Sequence, residues 1–182
     1  MKVTFWGVRG SYPVAADYCV RYGGNTPCLE VETDGTTLLI DAGTGIYAAG
    51  KSLQSRKIYT IHLLVSHTHW DHIQGFPHFV PLLDASVEIY VYALKRRQKS
   101  LKEIFFTQQE TPFFPLHLDQ IKARLEFIEL TDGETIQVDS ARITCKRLNH
   151  PGVAGGYRVE NGNSVFSYVS DADLYTDTLL GD

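Results

Sequence analysis

A dense cluster of ligand-type side chains follows a short apolar segment in the first half of the chain. Three histidines and one aspartate occur within six residues, at His67, His69, Asp71 and His72. They follow residues 61–65, an apolar run that predicts a buried strand, so the cluster begins where a rigid element ends. Imidazole and carboxylate groups are the ligands that zinc and iron take in proteins. The pattern indicates a metal site more strongly than a polar loop capped by Asp71.

The spacing of these side chains suggests how they divide between ions. His67 and His69 are two residues apart, so in an extended segment both side chains point to the same side. Asp71 and His72 are adjacent, and they can diverge from the first pair only if the chain turns there. Such a turn would aim them at a second metal beside the first. The arrangement differs from a helical HExxH site, where the two histidines are four residues apart.

The HxHxDH pattern resembles the signature of the metallo-β-lactamase-fold hydrolases. That resemblance implies a lone histidine after a later strand and an aspartate after another, and His150 and Asp171 occupy such positions. The segments 7–11 and 22–26 also resemble a phosphodiesterase-like branch of this superfamily. The similarity extends over essentially the whole chain, from Val3 to Asp171.

The resemblance implies a ligand set for one or two Zn²⁺ ions, with Mn²⁺ or Fe as alternatives. A first site of three histidines keeps an open position, as catalytic zinc requires, and a second site is built from carboxylates and one histidine. The expected nucleophile is a metal-bound hydroxide. We also expect catalysis to depend on Asp71. The predicted metal ligands are His67, His69 and His150 in the first site, Asp71 and His72 in the second, and Asp171 as a bridge.

Three further residues are candidates for roles around the metals. The resemblance implies that Asp41 lies beside the metal site, where it would accept the second N–H of a ligating histidine; the alternative is a helix N-cap. Arg9 and Arg21 lie in a long loop, residues 7–25, and long loops in compact domains are usually functional or disordered. They are candidate substrate-binding residues, or surface arginines that pair with carboxylates.

The alternation of many short strands with few helices predicts an α/β (α+β) fold. We expect a metallo-β-lactamase-like αββα sandwich of two mixed β-sheets with outer helices, formed as a single domain over residues 1–182. A helix is expected over residues 95–106, and the phenylalanine-rich segment 105–115 is expected to form a pocket wall. The resemblance implies a further histidine and further chain beyond Asp171, and no histidine follows His150. The domain is therefore expected to be incomplete at its C-terminus, with a weakened second site or one completed by a partner chain.

Composition restricts the surroundings and partners of the protein. The net charge is −4, which disfavours binding of long nucleic acid without excluding a local basic patch. The three cysteines have no CxxC spacing, which favours reduced thiols and a cytoplasmic location. No apolar run approaches the length that spans a membrane. The sequence leaves open whether the protein forms a homodimer.

These features lead to one preferred function and three alternatives. The preferred one is a metal-dependent hydrolase that acts on a phosphodiester, such as a cyclic nucleotide or another small phosphate ester. The first alternative is a thioester or lactone hydrolase, because the same nucleophile attacks carbonyl carbon. The others are a di-iron redox module and a non-catalytic domain that the metal stabilises.

Overall fold

The computed structural model describes residues 1–111 and 113–173, and a six-stranded mixed sheet lies at its centre. The first three strands of this sheet pair antiparallel, and from β3 onward each strand pairs parallel with the next. Parallel strands carry their C-terminal ends at one edge, which is where sites in such sheets form. The strands, in spatial order, are β1 (Lys2–Gly7), β2 (Cys28–Thr33), β3 (Thr36–Ile40), β4 (Thr60–Leu64), β5 (Glu88–Leu94) and β6 (Arg124–Leu130).

A second sheet of four strands packs on the first. Its spatial order is β10-β9-β8-β7, and every neighbouring pair is antiparallel. The sequence predicted a mixed sheet here. The sheet is antiparallel because its consecutive strands are joined by short connections, which reverse the chain direction. The strands are β7 (Thr135–Val138), β8 (Ala141–Arg147), β9 (Gly155–Asn161) and β10 (Ser164–Tyr168).

Within the described ranges, three α-helices connect strands of the first sheet. They are α1 (Ile46–Ser55), α2 (Trp70–Ile73) and α3 (Leu101–Gln108). The helix predicted over residues 95–106 begins later, because Ser100 and Glu103 form a capping box that fixes its first turn. Short 3-10 helices cover Asp17–Cys19, Phe76–His78, Val80–Leu83 and Leu118–Gln120.

The central sheet is covered on both faces, and its strands are accordingly rich in apolar residues. One face packs against the helices, in a cluster that includes Leu63, Leu53 and Phe105. The other face packs against the second sheet, in a cluster that includes Leu64 and Tyr157. The two layers of β-sheet confirm the predicted sandwich. The described helices cover the first sheet only, so these residues do not test the second helical layer.

None of the helices in the described part of the chain is both long enough and apolar enough to cross a membrane.

Candidate metal centre

The metal-ligand candidates lie where strands of the two sheets end. His67 and His69 follow β4, and α2 begins at Trp70, so the chain turns directly after the second histidine. The backbone N–H of His72 donates to the carbonyl oxygen of His69 at 3.0 Å, which stabilises this turn. The turn places the ring of His72 beside that of His67, with the two ring centroids 4.2 Å apart. His150 comes after β8 of the second sheet.

Three imidazoles converge to form a first donor set. Ring nitrogens of His67, His69 and His150 all lie within 4.8 Å of one another. The Nε2 of His67 is 3.0 Å from the Nδ1 of His69, and that Nδ1 is 3.2 Å from the Nε2 of His150. A tetrahedral zinc site with Zn–N bonds of roughly 2.0–2.1 Å places its ligand nitrogens at about this separation. The donor set therefore fits a zinc ion with one position left open.

A second donor set overlaps the first and consists of His67, His72 and Asp171. The Nε2 of His72 is 3.0 Å from Asp171 Oδ2 and 3.5 Å from Asp71 Oδ2. Asp71 is thus close to His72 but belongs to neither set, and its Oδ2 accepts the backbone N–H of Ser11 at 2.7 Å. Since one imidazole nitrogen binds one ion, a second ion beside the first would depend on His72, Asp171 and Asp71.

Asp41 orients the histidine segment through hydrogen bonds that its carboxylate accepts. Its side chain is fully buried and accepts hydrogen bonds from the backbone N–H and the hydroxyl of Ser66, from His72 Nδ1 and from the Tyr168 hydroxyl, at 2.7–2.8 Å. Because Nδ1 of His72 donates to this carboxylate, its Nε2 is free to bind a metal. The contact is the one that the family resemblance implied. The alternative role is not observed, since helix α1 begins only at Ile46.

The hydroxyl of Ser66 sets the orientation of His67. It donates its single proton to Asp41 and lies 3.1 Å from Nδ1 of His67. That nitrogen must therefore be the donor of the pair, which leaves Nε2 of His67 with its lone pair directed at the other histidines. The arrangement prepares a ligand nitrogen before any metal arrives.

The surroundings keep the first donor set neutral. Burial, together with the neighbouring His72, His69 and His150, lowers the pKa of His67 to about 2. Partial desolvation and His150 also lower the pKa of His69. Neutral imidazoles retain the lone pairs that a metal needs.

His72 behaves differently from the first donor set. Burial lowers its pKa, but the hydrogen bond to Asp41 and the charges of Asp41, Asp71 and Asp171 outweigh this effect and raise it. The carboxylates around His72 would equally attract a second cation. Negative charge is thus concentrated on one side of the centre and neutral nitrogen donors on the other.

Several of the polar residues around the centre adopt unusual backbone conformations. Ser11, Asp41 and Asp171 have φ values of 73°, 63° and 50°. Non-glycine residues rarely adopt this left-handed region, and it is found disproportionately at functional sites. The backbone at Asp41 and Asp171 directs both carboxylates towards the same group of histidines.

Arg9 and Arg21 lie in the loop that Ser11 ties to the centre. The Nε of Arg9 donates to the Tyr12 carbonyl at 3.2 Å, and the guanidinium lies 5.5 Å from the Tyr12 ring. Arg21 is exposed and packs over Tyr22 at 4.9 Å. Neither arginine is within bonding distance of a metal-donor atom in the part of the chain that is described. Their role in substrate binding stays a prediction.

The phenylalanine-rich segment 105–115 contributes both to the core and to a cavity. Phe105 is fully buried and belongs to the core between the helices and the first sheet. Phe113 is 69% exposed and lines a cavity together with Thr68 and Trp70. The cavity lies next to the segment of residues 66–72, the metal loop. The expectation of a pocket wall therefore fits Phe113 and not Phe105.

Sequence reasoning missed the residues that position the ligands. Ser11, Ser66 and Tyr168 all contact site carboxylates, yet serine and tyrosine carry no ligand signal of their own. Ser66 could have been found from its place at the start of the histidine motif. The contacts of Ser11 and Tyr168 join distant parts of the chain, so no local pattern indicates them.

The chain is similar in sequence to known proteins. The sequence model of the family described as "Beta-lactamase superfamily domain" matches residues 36–181. Curated relatives named Ribonuclease Z are 25% identical over 150 residues in Haloarcula marismortui and 27% identical over 168 residues in an Exiguobacterium species. These alignments cover 78% and 88% of this chain but only 44% and 49% of the relatives. The chain therefore spans about half the length of the curated relatives it matches.

Solved structures give the same fold. The metallo-beta-lactamase fold protein YhfI from Bacillus subtilis superposes with a TM-score of 0.66 at 19% identity, over 98% of this chain and 64% of that one. The short form of human tRNase Z gives 0.65 at 17% identity, over 93% and 69%. A diphosphatase of the PhnP family gives 0.60 at 22% identity, over 86% and 61%. At these identities the likeness shows the fold alone. With the match to the family model over most of its length, the chain belongs to the beta-lactamase superfamily.

Proposed function

We propose that this protein is a metal-dependent phosphodiesterase. The observation that carries the proposal is the donor set of three imidazoles with a second group of donors, His72, Asp171 and Asp71, directly beside it. Paired sites of this kind suit in-line displacement at phosphorus, where charge develops on both the attacking and the leaving oxygen. The names of the curated relatives support the same reaction class, because Ribonuclease Z denotes cleavage of a phosphodiester.

The residues of the chain divide the work of such a reaction. His67, His69 and His150 would hold the first ion, and His72, Asp171 and Asp71 a second. A bound zinc would supply Lewis-acid chemistry, lowering the pKa of water and neutralising charge on phosphoryl oxygens.

Asp71 would have a separate role in proton transfer. Its carboxylate is fixed by the Ser11 N–H and lies at the rim of the centre. It is therefore placed to accept a proton from the attacking group. The loop that carries Ser11 also carries Arg9, whose guanidinium could bind a substrate phosphate.

The substrate class includes nucleic acid as well as small esters. The acidic net charge argues against a long electrostatic contact with RNA, whereas the names of the relatives favour RNA. A phosphodiester at the end of an RNA strand needs only a local contact and satisfies both considerations. A cyclic nucleotide or another small phosphodiester presents the same group to the centre.

The test is a substrate panel with a variant of Asp71. Zinc-loaded protein is assayed with bis(4-nitrophenyl) phosphate, a 2′,3′-cyclic nucleotide, a short RNA and a chromogenic thioester. We expect turnover of the phosphodiesters and a fall of about 100-fold or more in Asp71→Asn, the usual range for loss of a general base. Asp84→Asn is the matched control, since that carboxylate accepts hydrogen bonds from Ser86 in a turn.

Each alternative function predicts a different outcome of this panel. Turnover of the thioester alone would replace the proposal by a carbonyl hydrolase. Visible absorbance that changes on reduction, in protein purified without added zinc, would indicate a di-iron redox centre. No turnover, with Asp71→Asn lowering only the melting temperature, would leave a metal-stabilised domain without catalysis.

A further inference from the structure

A cavity of about 290 Å³ opens directly beside the metal loop. Thr68, which lines it, lies between His67 and His69 in the sequence. Helix α3 provides the opposite side. The residues that carry the argument are Thr68, Trp70, Ile73, Ile104, Gln108 and Phe113.

Two aromatic side chains on the cavity wall are unusually exposed. Trp70 is 59% exposed and Phe113 is 69% exposed, although aromatic residues of this size normally bury most of their surface. Exposed apolar surface next to a polar centre is typical of a binding site. Aromatic walls favour a flat ring, because a base stacks on an aromatic side chain whatever its identity.

A buried amide adds a polar requirement to this apolar cavity. Gln108 is only 6% exposed, and its Nε2 donates to the Ile73 carbonyl at 2.8 Å. Its Oε1 is buried and accepts no hydrogen bond from any residue in the ranges 1–111 and 113–173. A buried acceptor without a donor is costly and rare in native proteins. A ligand with an N–H group on its ring would satisfy it.

We propose that this cavity is a nucleobase subsite, in which a base packs against Trp70 and Phe113 and donates an N–H to Gln108 Oε1. The proposal rests on the phosphodiesterase function, since it places the base of a nucleotide ester beside the group that is cleaved. Lys99, also on the cavity wall, carries a positive charge that suits a neighbouring phosphate. An aliphatic or lipid group would fill the apolar space but would leave the amide oxygen without a donor.

The test measures binding without hydrolysis. Zinc-loaded protein is titrated by ligand-observed NMR with adenosine, which has no phosphate, and with purine riboside, which lacks only the exocyclic amino group. We expect adenosine to bind more tightly by about fivefold or more, the value of one hydrogen bond to a buried acceptor. Phe113→Ala and Trp70→Leu should each weaken adenosine roughly tenfold.

Gln108→Met should remove the preference between the two nucleosides. Gln109→Met is the matched control, because Gln109 is also buried and is not one of the residues on the cavity wall. It should keep the preference of the unmodified protein. If Gln109→Met abolished the preference equally, or if the two nucleosides bound alike from the start, the contact with Gln108 would be wrong.

The nucleobase subsite and the phosphodiesterase function fail separately. Hydrolysis of bis(4-nitrophenyl) phosphate with no detectable adenosine binding would overturn the subsite and leave the function. Adenosine binding that depends on Gln108, in a protein that cleaves no phosphodiester, would retain the subsite and overturn the function.

Discussion

The single carboxylate of Asp41 orients several groups of the metal centre. It accepts four hydrogen bonds from three residues and is fully buried. Replacement by asparagine keeps the size and tolerates the φ of 63°, but one oxygen becomes an N–H₂ donor facing other donors. We expect Asp41→Asn to weaken zinc binding by about 10–100-fold and to lower the free energy of unfolding by about 2 kcal/mol.

Asp139 provides the matched control for this substitution. It also has a positive φ, of 48°, and accepts one hydrogen bond from Thr36. Asp139→Asn should therefore leave zinc affinity unchanged in a competition titration with a chromogenic chelator. An equal loss of zinc affinity in both variants would show that Asp41 has no special role in orienting His72.

The low pKa of His67 predicts how the metal-free protein responds to acid. The folded value of about 2 lies below the ordinary value of 6.5, so the unfolded chain binds more protons between these limits. Stability is therefore lost as the pH falls below 6.5, by about 1 kcal/mol over the first pH unit from this residue. His72 acts in the opposite direction, because its raised pKa adds stability at low pH that disappears as the pH rises.

Urea unfolding in the presence of a chelator, at pH 6.5 and 5.5, separates the contribution of His67. Glutamine at position 67 carries no titratable group, so His67→Gln should lose less stability than the unmodified protein between these two values. Identical pH dependence in the two proteins would contradict the assignment. The measurement must be made without metal, because protons and zinc compete for the same nitrogen.

At the scale of one residue, sequence reasoning was limited by how far apart in the chain the contacting residues lie. The ligand types at 67–72 stand together in the chain, so their chemistry was visible locally. Asp71 shows the limit, because the spacing grouped it with His72, whereas the structure brings the Nε2 of His72 closer to Asp171 than to Asp71. Which carboxylate approaches which imidazole depends on two strands separated by about a hundred residues.

Gly43, in the turn between β3 and α1, lets this turn approach the backbone at Asp71 and Pro27 closely. A Cβ added at Gly43 would lie 2.4 Å from the carbonyl oxygen of Asp71 and 2.6 Å from that of Pro27. Both are backbone atoms and cannot move aside alone. We expect Gly43→Ala to displace the metal loop, lowering the free energy of unfolding by about 1–3 kcal/mol and weakening zinc binding, as measured by urea unfolding and chelator competition.

Gly10 is the control for added volume. A Cβ there meets no atom within 4 Å, although Gly10 precedes Ser11 in the loop that contacts Asp71. Gly10→Ala should therefore change neither stability nor zinc affinity measurably. A harmless Gly43→Ala would mean that the turn and the metal loop are not packed as described.

The capping box of α3 stabilises the helix that carries Gln108. The backbone N–H of Glu103 donates to the Ser100 hydroxyl, and the Glu103 carboxylate accepts the Ser100 N–H at 2.7 Å. Ser100→Ala should cost about 1 kcal/mol and lower the melting temperature by several degrees. Ser55→Ala, at the exposed end of α1, should have little effect. Equal shifts would argue against the cap.

Element prediction succeeded where the local signal and the packing agreed. The buried strand before the histidines was predicted from its apolar run, and the structure contains it as β4. The helix expected over 95–106 lies at Leu101–Gln108 in the structure. The basic residues before position 100 are compatible with a helix, but the cap at Ser100 sets where the helix starts. Charge pattern alone does not locate a cap.

The whole molecule joins its two sheets at the metal centre. His67 and His69 follow a strand of the first sheet, whereas His150 and Asp171 follow strands of the second. Direct hydrogen bonds accompany this junction, from Gly155 N–H to the Ser66 carbonyl and from the Tyr157 hydroxyl to the Val65 carbonyl, both at 2.7 Å. Composition and periodicity could not show which strand ends meet, and only the family resemblance indicated that these four residues converge.

A metal bound at this junction should stabilise the folded chain as a unit. Zinc that binds only the folded state adds about 2.7 kcal/mol at a hundredfold excess over its dissociation constant, so the melting temperature should rise with zinc and fall again with a chelator. His150→Ala removes the donor from the second sheet and should abolish most of this shift. His78→Ala, an exposed histidine that contacts Phe114, should retain it. A full zinc-dependent shift in His150→Ala would mean that the ion is held by the first sheet alone and does not connect the two halves of the sandwich.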